Sequence, residues 1–174
     1  MLKITLTPTE LKLAKQISKG RGRKKGSKRF SKHSEADTHL IGMMGEFAFG
    51  KATGLQVQTD VSLGGDDGVD FLVNERSFQV KTRDNGQYSK PDLLCRPKEA
   101  LANYYILAEW TSAFPTIVNL VGWCDHEQLT KAHKRNFGHG IRHIAPRNGL
   151  IDIDLLIDWV KEWVEFHANK SKEK

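Results

Sequence analysis

The stretch Leu40-Ile41-Gly42-Met43-Met44-Gly45-Glu46-Phe47-Ala48-Phe49-Gly50 contains a single charge, Glu46. Leu40, Ile41, Met44, Phe47 and Ala48 fall on one face at helical spacing. Met43, Phe49 and three glycines cover much of the remainder. A helix that is apolar nearly all round must be enclosed by other elements. Its glycines let it lie close against a sheet. The pattern predicts a helix over Glu35 to Thr53, with Gly54 as its stop. A carboxylate inside such a helix is costly unless it meets a cation or a metal. A buried Glu–Arg or Glu–Lys pair would satisfy it as well as a metal would.

The other elements are placed around this helix. Thr7-Pro8-Thr9-Glu10 reads as a capped helix start, followed by Leu11, Ala14 and Ile17 at helical spacing and Gly20 as a possible end. A strand is expected at Leu55 to Thr59, a hairpin at Val69–Val73 and Ser77–Lys81, and β-rich runs at Tyr104–Trp110 and Thr116–Trp123. Asp84 to Pro97 reads as irregular. Asp125 caps an expected helix to Lys134, and Asp152 or Asp154 opens a last amphipathic helix to about His167. On that helix Trp159 and Trp163 share a packing face. The order implies an α/β fold, a mixed sheet flanked by helices. A chain of 174 residues fits one domain, 1–174.

The hairpin sorts its residues by chemistry. Side chains alternate across a strand, so Gln79 and Lys81 share one face and Phe78 and Val80 the other. With Val73 opposite Phe78 across a turn at Asn74–Ser77, Asp70 comes opposite Lys81. Phe71, Val73, Phe78 and Val80 then form an apolar face, and Asp70, Gln79 and Lys81 cluster on the other. A one-residue slip would scramble this sorting. An acid facing a lysine across a hairpin is also what a simple cross-strand ion pair looks like.

The formal net charge is +6, which attracts polyanions through phosphate contacts. Much of it lies in Arg21, Arg23, Lys24, Lys25, Lys28, Arg29 and Lys32, interrupted by Gly22, Gly26 and Ser27. Residues 21–34 read as a mobile basic loop that contacts phosphates, and residues 168–174 as a disordered Lys-rich tail. Arg83 follows the second hairpin strand, where it can reach a substrate backbone. No apolar run approaches the roughly 18 residues of a membrane span. The alternating N-terminus lacks the core of a signal peptide, and the two cysteines, Cys95 and Cys124, have no ligand-like spacing. These features predict a reduced cytoplasmic protein without membrane partners. His133, Asn136, His139 and His143 fit no helix-borne metal motif. Gly64-Gly65-Asp66-Asp67-Gly68 lacks both the P-loop lysine and the EF-hand pattern.

Taken together, Gly45-Glu46-Phe47, Gly68-Val69-Asp70-Phe71 and Gln79-Val80-Lys81 resemble the PD-(D/E)XK nuclease superfamily. There, a helical glutamate precedes a strand aspartate and an acid-x-lysine on the next strand. The resemblance covers Glu35 to Arg83, and later elements agree in order only. Position 79 departs from the pattern, with glutamine in place of the acid, as in members resembling the Mrr restriction enzymes. The resemblance implies a restriction-endonuclease-like three-layer fold with a central mixed sheet of four to five strands. It implies a Mg²⁺-dependent DNA endonuclease, with Mn²⁺ as a substitute and junction or branched DNA among the candidate substrates. Glu46, Asp70, Gln79 and Lys81 would be catalytic, with Asp70, Gln79, Glu46 and the Val80 carbonyl as metal ligands. Small members are often dimeric, so a homodimer is compatible. Glutamine at position 79 also suits a nucleic-acid-binding module that keeps the fold without the activity.

Overall fold

The computed structural model describes residues 1–21, 35–59, 68–86, 90–99, 101–138 and 140–170. The chain opens with a short strand, β1 (Leu2–Thr5), which had been legible only as apolar–polar alternation. Helix α1 (Pro8–Arg21) follows. Its start is the expected capping box: Glu10 N–H donates to Thr7 Oγ1 at 3.2 Å, and Thr7 N–H donates to Glu10 Oε2 at 2.6 Å. Lys51 Nζ lies 3.0 Å from both Glu10 Oε2 and the Thr5 carbonyl, tying β1 and α1 to the next helix. Burial raises the Glu10 pKa, but the Thr7 N–H and hydroxyl and the Lys51 ammonium outweigh it and hold the carboxyl below its usual value.

Helix α2 spans Glu35–Thr53 and ends at Gly54, whose φ of 78° lies in the left-handed region. From Met43 to Gly50 every residue is buried, as the apolar circumference requires. The strand expected at Leu55–Thr59 does not form. Leu55 and Val57 instead pack along α2, where a Cβ on Gly50 would sit 2.8 Å from the Leu55 carbonyl and 2.9 Å from Val57 Cγ2. The alternation reported half-burial there, and half-burial does not require a partner strand.

The hairpin is β2 (Phe71–Val73) and β3 (Arg76–Asp84). Asn74 and Glu75 have φ of 47° and 64°, the geometry of a two-residue turn whose twist matches the strands. The pairs are Phe71↔Phe78, Leu72↔Ser77 and Val73↔Arg76. This corrects the expected register by two residues. An even shift leaves the faces sorted as expected, and Phe71, Val73, Phe78 and Val80 are all buried in one core. Continuing the ladder sets Asp70 beside Gln79 rather than Lys81.

After β4 (Leu93–Cys95), within a stretch expected to be irregular, come β5 (Tyr104–Trp110) and β6 (Ile117–Asp125). The main sheet runs β1-β6-β5-β3-β2, with β3 and β5 parallel and the other pairs antiparallel. A bulge lets Leu107 pair with Gly122 and Ala108 with Leu120. The extra residue, Val121, reverses the alternation of β6. Leu120 and Trp123 therefore face one core while Val121 and Cys124 face the other.

Asp125 caps α3 (His126–Lys131) through a capping box with Gln128. The helix stops short of the expected Lys134 because His133 is drawn into a second sheet. That sheet is ordered β4-β8-β7, with β7 (His133–Asn136) and β8 (Ile141–Ala145) forming an unanticipated hairpin. Strand β9 (Ile151–Asp152) pairs with β6, giving the main sheet six strands rather than four to five. Helix α4 (Ile153–Lys170) closes the described chain, with Ile153, Leu156, Ile157 and Val160 buried and Trp159 and Trp163 packed beside them.

The architecture is mixed α/β. One core lies between the main sheet and α1, α2 and α4. The opposite core is covered by β4, β8 and α3, so this layer is mostly strand rather than helix. No helix among the described residues is long and apolar enough to cross a membrane.

Candidate functional site

Strand β2 starts at Phe71 while β3 continues to Asp84, so the β2 side of β3 has no ladder pairing beyond Phe78. Asp70 occupies the point where the strands part. Its N–H donates to the Phe78 carbonyl at 2.8 Å, and its Oδ2 accepts the Val80 N–H at 2.6 Å. The N–H and C=O of one strand residue point to the same side. The Val80 carbonyl therefore faces the same edge of β3 as its N–H, the edge on which Asp70 lies.

Gln79 and Lys81 project toward the second core, beside Tyr105 and Leu107 of β5. Gln79 is only 5% exposed, and Cys95 Sγ lies 3.8 Å from its Oε1 as donor. Gly68, with φ of 75°, fits closely over it. A Cβ there would lie 3.1 Å from Gln79 Nε2 and 3.1 Å from the Glu99 carbonyl. Both the backbone angle and the space demand glycine at this position.

Lys81 Nζ is 3.5 Å from Glu99 Oε2, and Arg96 Nη1 is 2.9 Å from Glu99 Oε1. Glu99, in a 3₁₀ turn at Pro97–Glu99, is the site residue that sequence reasoning missed. Only tertiary folding brings it to Lys81, and its composition context carried no signal. The expected Asp70–Lys81 cross-strand pairing is replaced by Asp70–Val80 and Lys81–Glu99.

Glu46 is buried on α2, at 8% exposure. The neighbouring Gly45 rests on Thr82, Val80 and Ala108, so α2 covers the face of β3 opposite Gln79 and Lys81. Asp70, Gln79 and Lys81 are thus brought together by the hairpin, whereas Glu46 comes from the helical layer on the other side of the sheet.

The surrounding groups narrow the chemistry. Burial pushes the Cys95 thiol up to about 11 and the Cys124 thiol up to about 12, so both are protonated at neutral pH. Neither is poised as a thiolate nucleophile. Tyr105 is raised as well, chiefly by burial. His143 is buried and its pKa is lowered by burial and by Lys134 and His126. His133 and Asn136 lie exposed on β7, His143 is buried on β8, and His139 lies outside the described residues. Among the described residues no group of three or more His, Cys, Asp or Glu gathers to hold a metal.

Of the residues expected to bind nucleic acid, Arg23, Lys24, Lys25, Lys28 and Arg29 lie outside the described residues, and Arg21 is described only as the last residue of α1. Arg83 is half-buried on β3 opposite Glu109 of β5. Glu109 is 3% exposed and forms an ion pair with Arg147, with Asn85 Nδ2 at 3.4 Å from its other oxygen. This cluster braces the end of β5. No protein-family model matches the chain, and comparison with curated proteins and with solved structures gives no match.

Proposed function

We propose that this protein is a Mg²⁺-dependent DNA endonuclease of the PD-(D/E)XK type, with Asp70, Gln79 and Lys81 at its centre and Glu46 contributing from α2. The observation that carries the reading is the Asp70 carboxylate at the parting of the hairpin, held 2.6 Å from the Val80 N–H. A carboxylate, a backbone carbonyl and an amide oxygen are hard donors of the kind Mg²⁺ accepts while keeping several waters. The residues present fit such an ion, with Asp70, the Val80 carbonyl and Gln79 as its holders. When bound, the cation supplies Lewis acidity at the scissile phosphate.

The chain's own groups do the rest. Lys81 provides a cation beside developing phosphate charge and a donor to orient the attacking water. Glu99 holds the Lys81 ammonium in place and keeps a carboxylate near the neutral Gln79. The net charge of +6 draws the substrate in. A homodimer would let two such sites cut both strands.

A second reading is favoured by one observation. Gln79 is buried, neutral and engaged with Cys95, which suits a nucleic-acid-binding module without cleavage. Labelled junction, flap, duplex and single-stranded DNA incubated with Mg²⁺, Mn²⁺ or chelator separate the two. Cation-dependent products absent from Asp70→Asn support the nuclease. Salt-sensitive binding without products under either cation supports the module.

A further inference from the structure

The small sheet carries three arginines in one cross-strand row. Arg135 of β7 is paired directly with Arg142 of β8. Cys95 of β4 is paired with His143 of β8, so the next step of that antiparallel ladder sets Arg96 against Arg142. Neighbouring strands lie about 4.8 Å apart, so the row spans about 10 Å. Like charges placed directly opposite one another destabilise a sheet. Burial and the Arg96 charge both press on Arg142 and lower its pKa, and Glu99, which acts against them, is already shared with Lys81 and Arg96.

Protection of an exposed edge does not account for the row. Charged side chains on an edge strand do discourage edge-to-edge pairing. That explains Arg135, since β7 is the edge and all four of its side chains are exposed. It leaves Arg142 unexplained, because β8 is the middle strand. From Gln128 to Ile151 the sequence has no Asp or Glu, so the hairpin offers no internal counter-charge. At the outer end Arg135 lies over the Phe137 ring at 5.5 Å, which steadies the guanidinium. At the inner end Arg96 shares Glu99 with Lys81. The row therefore leads from the candidate site outward across the sheet.

We propose that Arg96, Arg142 and Arg135 form a track for the phosphate backbone of duplex DNA, leading into the site at Lys81. About 10 Å corresponds to roughly three nucleotides of axial rise along one strand. Guanidinium groups suit phosphates because their planar forks donate two hydrogen bonds at once. A two-stranded ribbon such as β7–β8 is of a size that a major groove admits. The track rests on the proposed function for its connection to cleavage, but its binding role is tested without catalysis.

The test is fluorescence anisotropy of a labelled duplex in EDTA, titrated with the full chain at several salt concentrations. Arg135→Gln alone and Arg135→Gln with Arg142→Gln are compared with wild type. Lys161→Gln, at an exposed position of α4, controls for net charge, and circular dichroism confirms folding. Each lost phosphate contact should reduce the log–log salt slope by about 0.9 and weaken binding about eightfold at 0.1 M salt. The double variant should therefore lose a slope of about 1.8. Should the double variant fail to fold, the single exposed substitution decides, with an expected loss of about 0.9. Unchanged slope and affinity in a folded variant, or losses equal to those of Lys161→Gln, overturn the track. An effect confined to single-stranded DNA or RNA overturns the duplex assignment. Weakened duplex binding together with no cleavage by wild type under any cation upholds the track and removes the nuclease. Cleavage with unaltered binding does the reverse.

Discussion

Gly45 offers the sharpest test of how α2 is seated. A Cβ added there would overlap Thr82 Oγ1 and lie 3.1 Å from Val80 Cγ1 and 3.2 Å from Ala108 Cβ. Val80 and Ala108 are buried core residues, and the helix cannot shift outward without opening the core along Met43, Met44 and Ala48. Overpacking of this kind costs about 3 kcal/mol at the upper end of the usual range. Replacing glycine by alanine in a helix returns about 1 kcal/mol. Gly45→Ala should therefore destabilise by about 2 kcal/mol, which lowers Tm by roughly 4–8 °C in a domain of this size. Gly42 lies on the same helix with nothing within 4 Å of an added Cβ, so Gly42→Ala should stabilise by up to about 1 kcal/mol. Thr82→Ala in the Gly45→Ala background should restore part of the loss, because it removes the worst overlap and leaves the two milder ones. Urea and thermal unfolding of the four proteins give the answer. If Gly45→Ala matched Gly42→Ala in stability, α2 would not lie on β3 at Thr82, and the placement of Glu46 would fall with it.

Asp70→Asn should abolish cation-dependent cleavage while duplex binding in EDTA stays within about twofold, since it removes the carboxylate held at the strand parting; full cleavage by this variant would remove Asp70 from the site. Gln79→Glu should preserve or raise activity at low Mg²⁺, and complete loss in a folded protein would show that position 79 is not a ligand. Arg147→Ala should cost about 3 kcal/mol by urea denaturation, because it strands the buried Glu109 carboxylate; a loss below about 1 kcal/mol would mean that the charge is satisfied otherwise. The lowered His143 pKa leaves the unfolded chain binding more protons than the folded one between the two values. Its contribution is therefore fully present above the unfolded value, near 6.5, and is lost as pH falls through the folded one. The difference in stability between pH 7.5 and pH 5 should shrink in His143→Gln, and an unchanged difference would place that titration elsewhere.

Local chemistry was enough to read a good part of this molecule from its sequence. Thr7 and Glu10 specify a helix start by themselves, Gly54 specifies a stop, and Asp125 caps α3, because each acts over three or four residues. The burial of α2 was legible because an all-round apolar helix admits no other surroundings. Alternation along β3 separated Phe78 and Val80 from Gln79 and Lys81, and that sorting survived an error of two residues in register, since the period of a strand is two. The register itself depended on whether Asn74 and Glu75 adopt left-handed angles, which residue identity permits without requiring. Leu55–Thr59 and the short strands β1, β4, β7 and β8 were decided by the presence or absence of a partner. A strand's hydrogen bonds are made with chain far away in sequence, so its own residues report only the burial of each face. The same limit hid Glu99 beside Lys81 and Arg142 between Arg96 and Arg135. Those contacts join residues 18 apart in the first case and three separate strands in the second, and only the folded sheet brings them together.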